Sequence, residues 1–212
     1  ELRSITNQTG TVLIFDEIIS GFRINIGGAQ SEYNVIPDIS TFGKSMANGM
    51  PISAIVGNRK IMSKMNEIFF SSTFGGEALS LAASIETINK IQRTDAISKM
   101  KITGEKLIFG LNTIIDQSFL KGSFIFVGPD WWPRLNIVDV NIDITLFKSL
   151  LRQELNAAGL IINATLNLSL SHTKADIIKE TLSRFKIAID KLSICIEMIT
   201  SKYFIFYMFK FS

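Results

Sequence analysis

PDISTFGKSMANGMPISAIVG (residues 37–57) sets two short apolar runs around a break that holds a single lysine. PDISTF (37–42) and ISAIV (52–56) have the length and β-branched or aromatic content of strands, and Gly43, Asn48, Gly49 and Pro51 interrupt them. Lys44 therefore follows the carboxyl end of a predicted strand, and its apolar flanks point it inward. Upstream, TVLIF (11–15) is a continuous apolar run of the kind covered on both faces of a sheet, and Asp16 and Glu17 close it. Downstream, EALSLAASIETINKIQ (77–92) repeats apolar residues at helical spacing, with Leu79, Ala82, Ala83, Ile85 and Ile88 expected to face the sheet. A second helix is predicted over 94–117, its continuity weakened by Gly104 and Gly110.

Beyond it the pattern changes. SFIFVG (123–128) and RLNIVDV (134–140) alternate like strands, ITLFKSLLRQELNAAG (144–159) reads as a helix stopped by Gly159, and LNLSLS (166–171) as another strand. A final helix is expected from about Thr173, where T-K-A-D matches a capping box, through IIKETLSRFKIAIDKL (177–192). This order predicts an α/β first domain over 1–121 and a smaller α+β domain over 122–192, with the boundary near Gly122 and an apolar tail over 193–212.

Composition removes several chemistries. With 212 residues, 47% of them hydrophobic, the chain has ample material for a core. Its 22 basic and 19 acidic residues leave a net charge of +3 without a polybasic run, so no nucleic-acid partner is expected. The single cysteine, Cys195, rules out an intramolecular disulfide and favours a reducing, cytoplasmic setting. The single histidine, His172, rules out a histidine metal cluster or a Ser-His-Asp triad built within the chain; a structural place near the last helix is expected for it. In the tail the longest uninterrupted apolar run, YFIFYMF (203–209), is far short of the ~20 residues a spanning helix needs, so no membrane partner is expected. The chain opens on Glu1 without a methionine and reads as a fragment.

In open α/β sheets ligands bind beyond the carboxyl ends of the strands, and Asp16 and Lys44 stand at two such ends. Taken singly, an aspartate there reads as a turn residue and a lysine beside glycine as solvent-facing. Together they belong to a long ordered series: LIFDEIISGFR (13–23), GGAQSEYNVIPDISTFGKSMANGMPISAIVG (27–57) and FSSTFGGEALSLAASI (70–85). The series resembles the class III aminotransferases, the pyridoxal-phosphate enzymes of fold type I, and most closely the glutamate-1-semialdehyde 2,1-aminomutase-like subgroup. LNLSLSHTKADIIKETL (166–182) extends the resemblance more weakly.

The resemblance implies the α/β large-domain portion of fold type I, with a mostly parallel sheet, followed by a small α+β domain. It also implies a C-terminal fragment without the family's N-terminal part, which carries a glycine- and serine-rich phosphate loop and a ring-stacking aromatic. On this resemblance Lys44 falls on the Schiff-base lysine, Asp16 on the carboxylate that pairs with the pyridine nitrogen, and Ile18 on the side chain that packs against the ring. Thr73, with Ser72, falls where the family holds the phosphate of the partner subunit's cofactor. The implied cofactor is pyridoxal 5′-phosphate, the implied partners are a small-molecule amino donor and acceptor, and the implied assembly is a homodimer with shared active sites. Ser71, Ser72 and Thr73 before Gly75-Gly76 would then direct hydroxyls, amides and a helix dipole at a phosphate; an ordinary helix cap is the alternative. STFGGE (72–77) departs from the form associated with the aminomutase, which keeps an amino-sugar or other small-molecule transaminase in view. Glu17, Arg23 and Gln30 read equally as orienting or packing residues. The competing reading of the whole is a catalytically silent fragment or homologue that serves as a scaffold or dimer-contact module.

Overall fold

The structure is a computed structural model that describes residues 1–201, in two compact units, Glu1–Ile97 and Ser98 onward. Residues 202–212, most of the expected apolar tail, lie outside the described residues.

The first unit contains α1 (Leu2–Thr9), β1 (Ile14–Glu17), α2 (Gly28–Glu32), β2 (Ile39–Phe42), β3 (Ala54–Gly57), α3 (Arg59–Met62) and α4 (Ala78–Arg93). The three expected strands form one sheet in the order β1-β2-β3. β1 runs parallel to β2, Ile14 opposite Ile39 and Glu17 opposite Phe42, whereas β3 is antiparallel to β2 with Ala54 opposite Phe42. The sheet is thus less parallel than expected, and the connection explains it. A parallel return needs a crossover of a dozen or more residues, usually helical, while residues 43–53 are spent on a 3-10 turn, Lys44–Met46, and the bends after it. Asp38 fastens this unit: its Oδ2 accepts from the Leu13 amide at 2.8 Å and Arg3 Nη1 at 3.0 Å, and its Oδ1 from Asn58 Nδ2 at 3.4 Å. The Leu13 amide, then Arg3, hold its carboxyl below the usual aspartate range.

α4 forms as expected, with Ala83 and Ile88 half-buried, but its innermost residues are others. It buries Ser80 and Ser84 and leaves Leu79 and Ile85 exposed. These serines, four apart, share one face of the helix, and α4 lies against the turn Lys44–Met46.

The second unit holds nearly all of α5 (Ala96–Asp116), then β4 (Phe124–Val127), β5 (Arg134–Ile137), α6 (Ile144–Ala157) and α7 (Ala175–Thr200). The division falls before α5 and not near Gly122, because Leu107, Leu111 and Ile115 of α5 share one core with Phe124, Phe126, Phe147, Leu151, Phe185, Ile189 and Leu192. Ring pairs lock it: Phe124 meets Phe147 edge-on at 5.6 Å and Phe126 meets Phe185 at 5.9 Å. Each such ring, fully buried, contributes roughly 1.5–3 kcal/mol. α5 is continuous through both glycines. A Cβ at Gly104 would run into the Asp130 carbonyl and one at Gly110 into Leu182, so these glycines permit close approach instead of breaking the helix.

β4 and β5 pair antiparallel, Phe124 opposite Ile137. The strand expected at 166–171 does not form; a single bridge joins Thr165 to Arg134, after which Leu168 enters the core and a 3-10 turn, Leu170–Thr173, takes the chain out of the ladder. The capping box also sits earlier than T-K-A-D. The Ser169 amide donates to His172 Nδ1 at 3.0 Å, while the N-cap of α7, Lys174, makes no side-chain cap. His172 stands just before the last helix, as expected. α7 runs on to Thr200 and buries Ser193 and Ile196, so residues 193–200 belong to a packed helix and not to the tail. Trp131 and Trp132 stack on each other at 5.9 Å. Among the described residues no helix is long and apolar enough to cross a membrane.

Candidate functional site

The parallel pairing of β1 and β2 brings their carboxyl ends side by side. Asp16 is opposite Thr41, three residues before Lys44. Its Oδ1 accepts from the Ile18 amide at 3.1 Å and from Thr41 Oγ1 at 3.3 Å, two bonds that orient the carboxylate at the strand end. Gly43 is buried and extended, and a Cβ there would meet Ile18 Cγ2 at 3.7 Å and Ser53 Cβ at 3.8 Å. Ile18 therefore lies beside the residue that precedes Lys44.

Lys44 itself is exposed, as is Asp16, and this corrects the expectation of an inward lysine. Phe42, Gly43 and Ala47 take the buried positions, and the backbone at Lys44 swings out at φ 39°, a region rarely adopted by residues with a Cβ. Among the described residues Lys44 makes no ion pair or side-chain hydrogen bond, so its amine is available. Amine, carboxylate and branched aliphatic side chain sit at neighbouring positions of one sheet end. That donor set suits a flat heteroaromatic ring bearing an aldehyde and a basic nitrogen.

Ser72 and Thr73 lie apart from this group in sequence, in an exposed turn that the Gly75 amide closes onto the Ser72 carbonyl at 3.1 Å. The helix start behind them is already filled. Glu77 accepts from the Leu79 and Ser80 amides, both at 2.7 Å, and from Ser80 Oγ at 2.6 Å. The serine hydroxyl and then the two amides hold its carboxyl below the usual range. These amides and the dipole of α4 thus serve a carboxylate, and only the Ser72–Thr73 hydroxyls and turn amides remain for an external anion.

Thr41 escaped the sequence reading, and so did the burial of Glu17, a residue read there as orienting or packing. Thr41 was legible in principle, because strand registration sets it across from Asp16. Glu17 is almost wholly buried at 1% exposure, which no local pattern announces for a carboxylate in a D-E pair.

A family model described as "Aminotransferase class-III" matches residues 1–122. Among curated proteins, glutamate-1-semialdehyde 2,1-aminomutase of Francisella tularensis subsp. holarctica (strain LVS) is 39% identical over 115 residues, 53% of this chain and 27% of its own length. 3-Aminobutyryl-CoA aminotransferase of Cloacimonas acidaminovorans (strain Evry) is 38% identical over 135 residues, 63% of this chain and 32% of its own. Among solved structures, the PLP internal aldimine form of Sphingopyxis sp. MTA144 FumI protein superposes with a TM-score of 0.79 at 26% identity, covering 94% of this chain and 47% of that one. An omega-transaminase from Sphaerobacter thermophilus gives 0.78 at 21% identity, covering 90% and 47%, a likeness of fold. The chain spans about a third or less of these curated relatives and just under half of the solved chains.

Proposed function

Because the chain belongs to the class-III aminotransferase family, we propose that it carries the reactive lysine of a pyridoxal-phosphate-dependent enzyme that transfers an amino group on or between small molecules. The observation that carries this reading is the meeting of Asp16, Ile18 and Lys44 at the ends of two adjacent parallel strands.

When bound, pyridoxal phosphate supplies an aldehyde and an electron-withdrawing ring that accepts negative charge from a substrate carbon. The rest falls to the chain. Asp16, oriented by Thr41 and the Ile18 amide, accepts the hydrogen bond of the protonated ring nitrogen. Ile18 supports the ring face. Lys44 would hold the cofactor at its aldehyde carbon, and its freed amine would carry a proton between the substrate carbon and that carbon of the cofactor. Proton transfer by an amine needs its neutral form, which cover that removes water from Lys44 would favour. A second copy of the chain is the proposed source of part of that cover, with its Ser72 and Thr73 hydroxyls donating to the cofactor phosphate across a homodimer. The setting proposed from the lone Cys195 is cytoplasmic.

The relatives name one aminomutase and one aminotransferase at nearly equal identity, which supports amino-group transfer as the shared chemistry. Exposure of Lys44 and Asp16 favours the competing reading, a silent scaffold. One experiment separates them: incubation with pyridoxal phosphate, borohydride reduction and peptide mass mapping. Reductive labelling at Lys44, lost in Lys44→Ala, is expected; an unlabelled Lys44 in the parent protein rejects the enzyme reading.

A further inference from the structure

We propose that Glu17, which has no part in the roles above, is a positioning residue that sets Asp16 and the Lys44 turn through the loop 18–30; this rests on the reading of Lys44 and Asp16 just given. Asp16 and Glu17 are successive strand residues, so their side chains leave opposite faces of the sheet. Asp16 is exposed on one face and Glu17 is 1% exposed on the other. Any rotation of that strand end moves both.

Glu17 is tied at both carboxylate oxygens. Ser20 Oγ donates to Oε2 at 2.5 Å and the Gln30 amide to Oε1 at 3.2 Å. Gly28, at φ 74°, closes over the carboxylate so tightly that a Cβ there would lie 2.5 Å from Oε1. The Glu17 carbonyl also accepts from the Gly21 amide at 2.8 Å. One residue thus pins the loop near its start, at 20 and 21, and at its end, at 28 and 30.

That loop reaches both halves of the site. It begins with Ile18, whose amide holds Asp16 and whose side chain lies by Gly43. It includes Phe22, held at φ 62° with its ring 5.6 Å from that of Phe42, two residues before Lys44. Gly21 presses on the same ring, since a Cβ there would stand 2.5 Å from Phe42 Cδ1. A carboxylate this deeply buried is held by donors, and replacing one oxygen by an NH₂ group turns an acceptor toward an amide donor. The loop would then shift, and with it Asp16 and the Lys44 turn.

The test compares the parent protein with Glu17→Gln and Ser20→Ala, using added pyridoxal 5′-phosphate as the probe. Three readouts serve: far-ultraviolet circular dichroism for the fold, half-saturation of reductive labelling at Lys44, and the pH midpoint of the visible band of the bound cofactor. Glu17→Gln is expected to keep the dichroism, weaken labelling about tenfold and move the pH midpoint, because the Asp16 contact to the ring nitrogen is disturbed. Ser20→Ala, which removes one bond to the same carboxylate, moves both in the same direction by less and decides the matter if Glu17→Gln does not fold. Folded variants with the parent's half-saturation and midpoint overturn the positioning role. An unlabelled Lys44 in the parent protein overturns the cofactor reading and the positioning role together.

Discussion

The two units differ in how they pack their aromatic residues. From Ser98 onward, Phe124, Phe126, Phe147 and Phe185 are at most 2% exposed and interlock with leucines and isoleucines of three helices. In the first unit Phe69 is 96% exposed, Phe70, Phe74, Ile14, Leu79 and Ile85 are also exposed, and the buried polar residues include Glu17, Ser40, Ser80 and Ser84. One unit is organised by packing and the other by hydrogen bonds around a few carboxylates. The proposed site lies in the second kind. On that proposal, a site that admits a ring and exchanges substrates is assembled from polar anchors on a short sheet, and its apolar surroundings are left for other surfaces to cover.

The contrast can be broken by substitutions that should affect one unit alone. If the proposed function holds, Lys44→Ala reduces amino-transfer activity by about 10³-fold or more while leaving the unfolding of the second unit where it was, checked by steady-state rates beside calorimetry. Phe185→Ala should do the reverse. Loss of a ring with 0% exposure destabilises the second unit by about 3–5 kcal/mol in denaturant titration, and Lys44 labelling in the folded variant should persist. Asn112→Ala is a finer probe of that core. Its amide donates to the Phe126 carbonyl at 2.9 Å and its oxygen accepts from the Phe126 amide at 2.8 Å, so truncation should cost about 1–3 kcal/mol and raise hydrogen exchange at β4.

The smallest effect concerns acid. Asp38 and Glu77 both have carboxyls lowered from their ordinary values of 3.8 and 4.5, so the folded state favours the charged form. Their contribution is complete above those ordinary values and disappears as pH falls through the lowered ones. Mild acidification below pH 4 should therefore loosen α1 and the start of α4 before it touches β4 or α7. Residue-resolved amide exchange checks this; simultaneous loosening of both units would erase the distinction.

Much of this was legible in the chain. The runs at 11–15, 37–42 and 52–56 became the sheet, and Asp16 and Lys44 came together because strand ends are set by the same apolar runs that form the strands. What escaped depended on contacts remote in sequence. The exposure of Leu79 and Ile85 goes with the burial of Ser80 and Ser84 on the helix's inner side. The continuity of α5 through Gly104 and Gly110 follows from Asp130 and Leu182. The burial of Glu17 follows from a glycine eleven residues away, and the filled start of α4 from the one rotamer of Glu77 that reaches its own helix amides.

The backbone at Lys44 has one more consequence. A left-handed dihedral on a residue with a Cβ costs on the order of 1–2 kcal/mol, and glycine escapes it. A library randomised at this codon and sorted for heat resistance alone should therefore drift toward glycine, whereas the same library sorted for covalent capture of an aldehyde should return lysine. The gap between the two winners would measure how much robustness this position gives up to keep a reactive nitrogen at the tip of its turn.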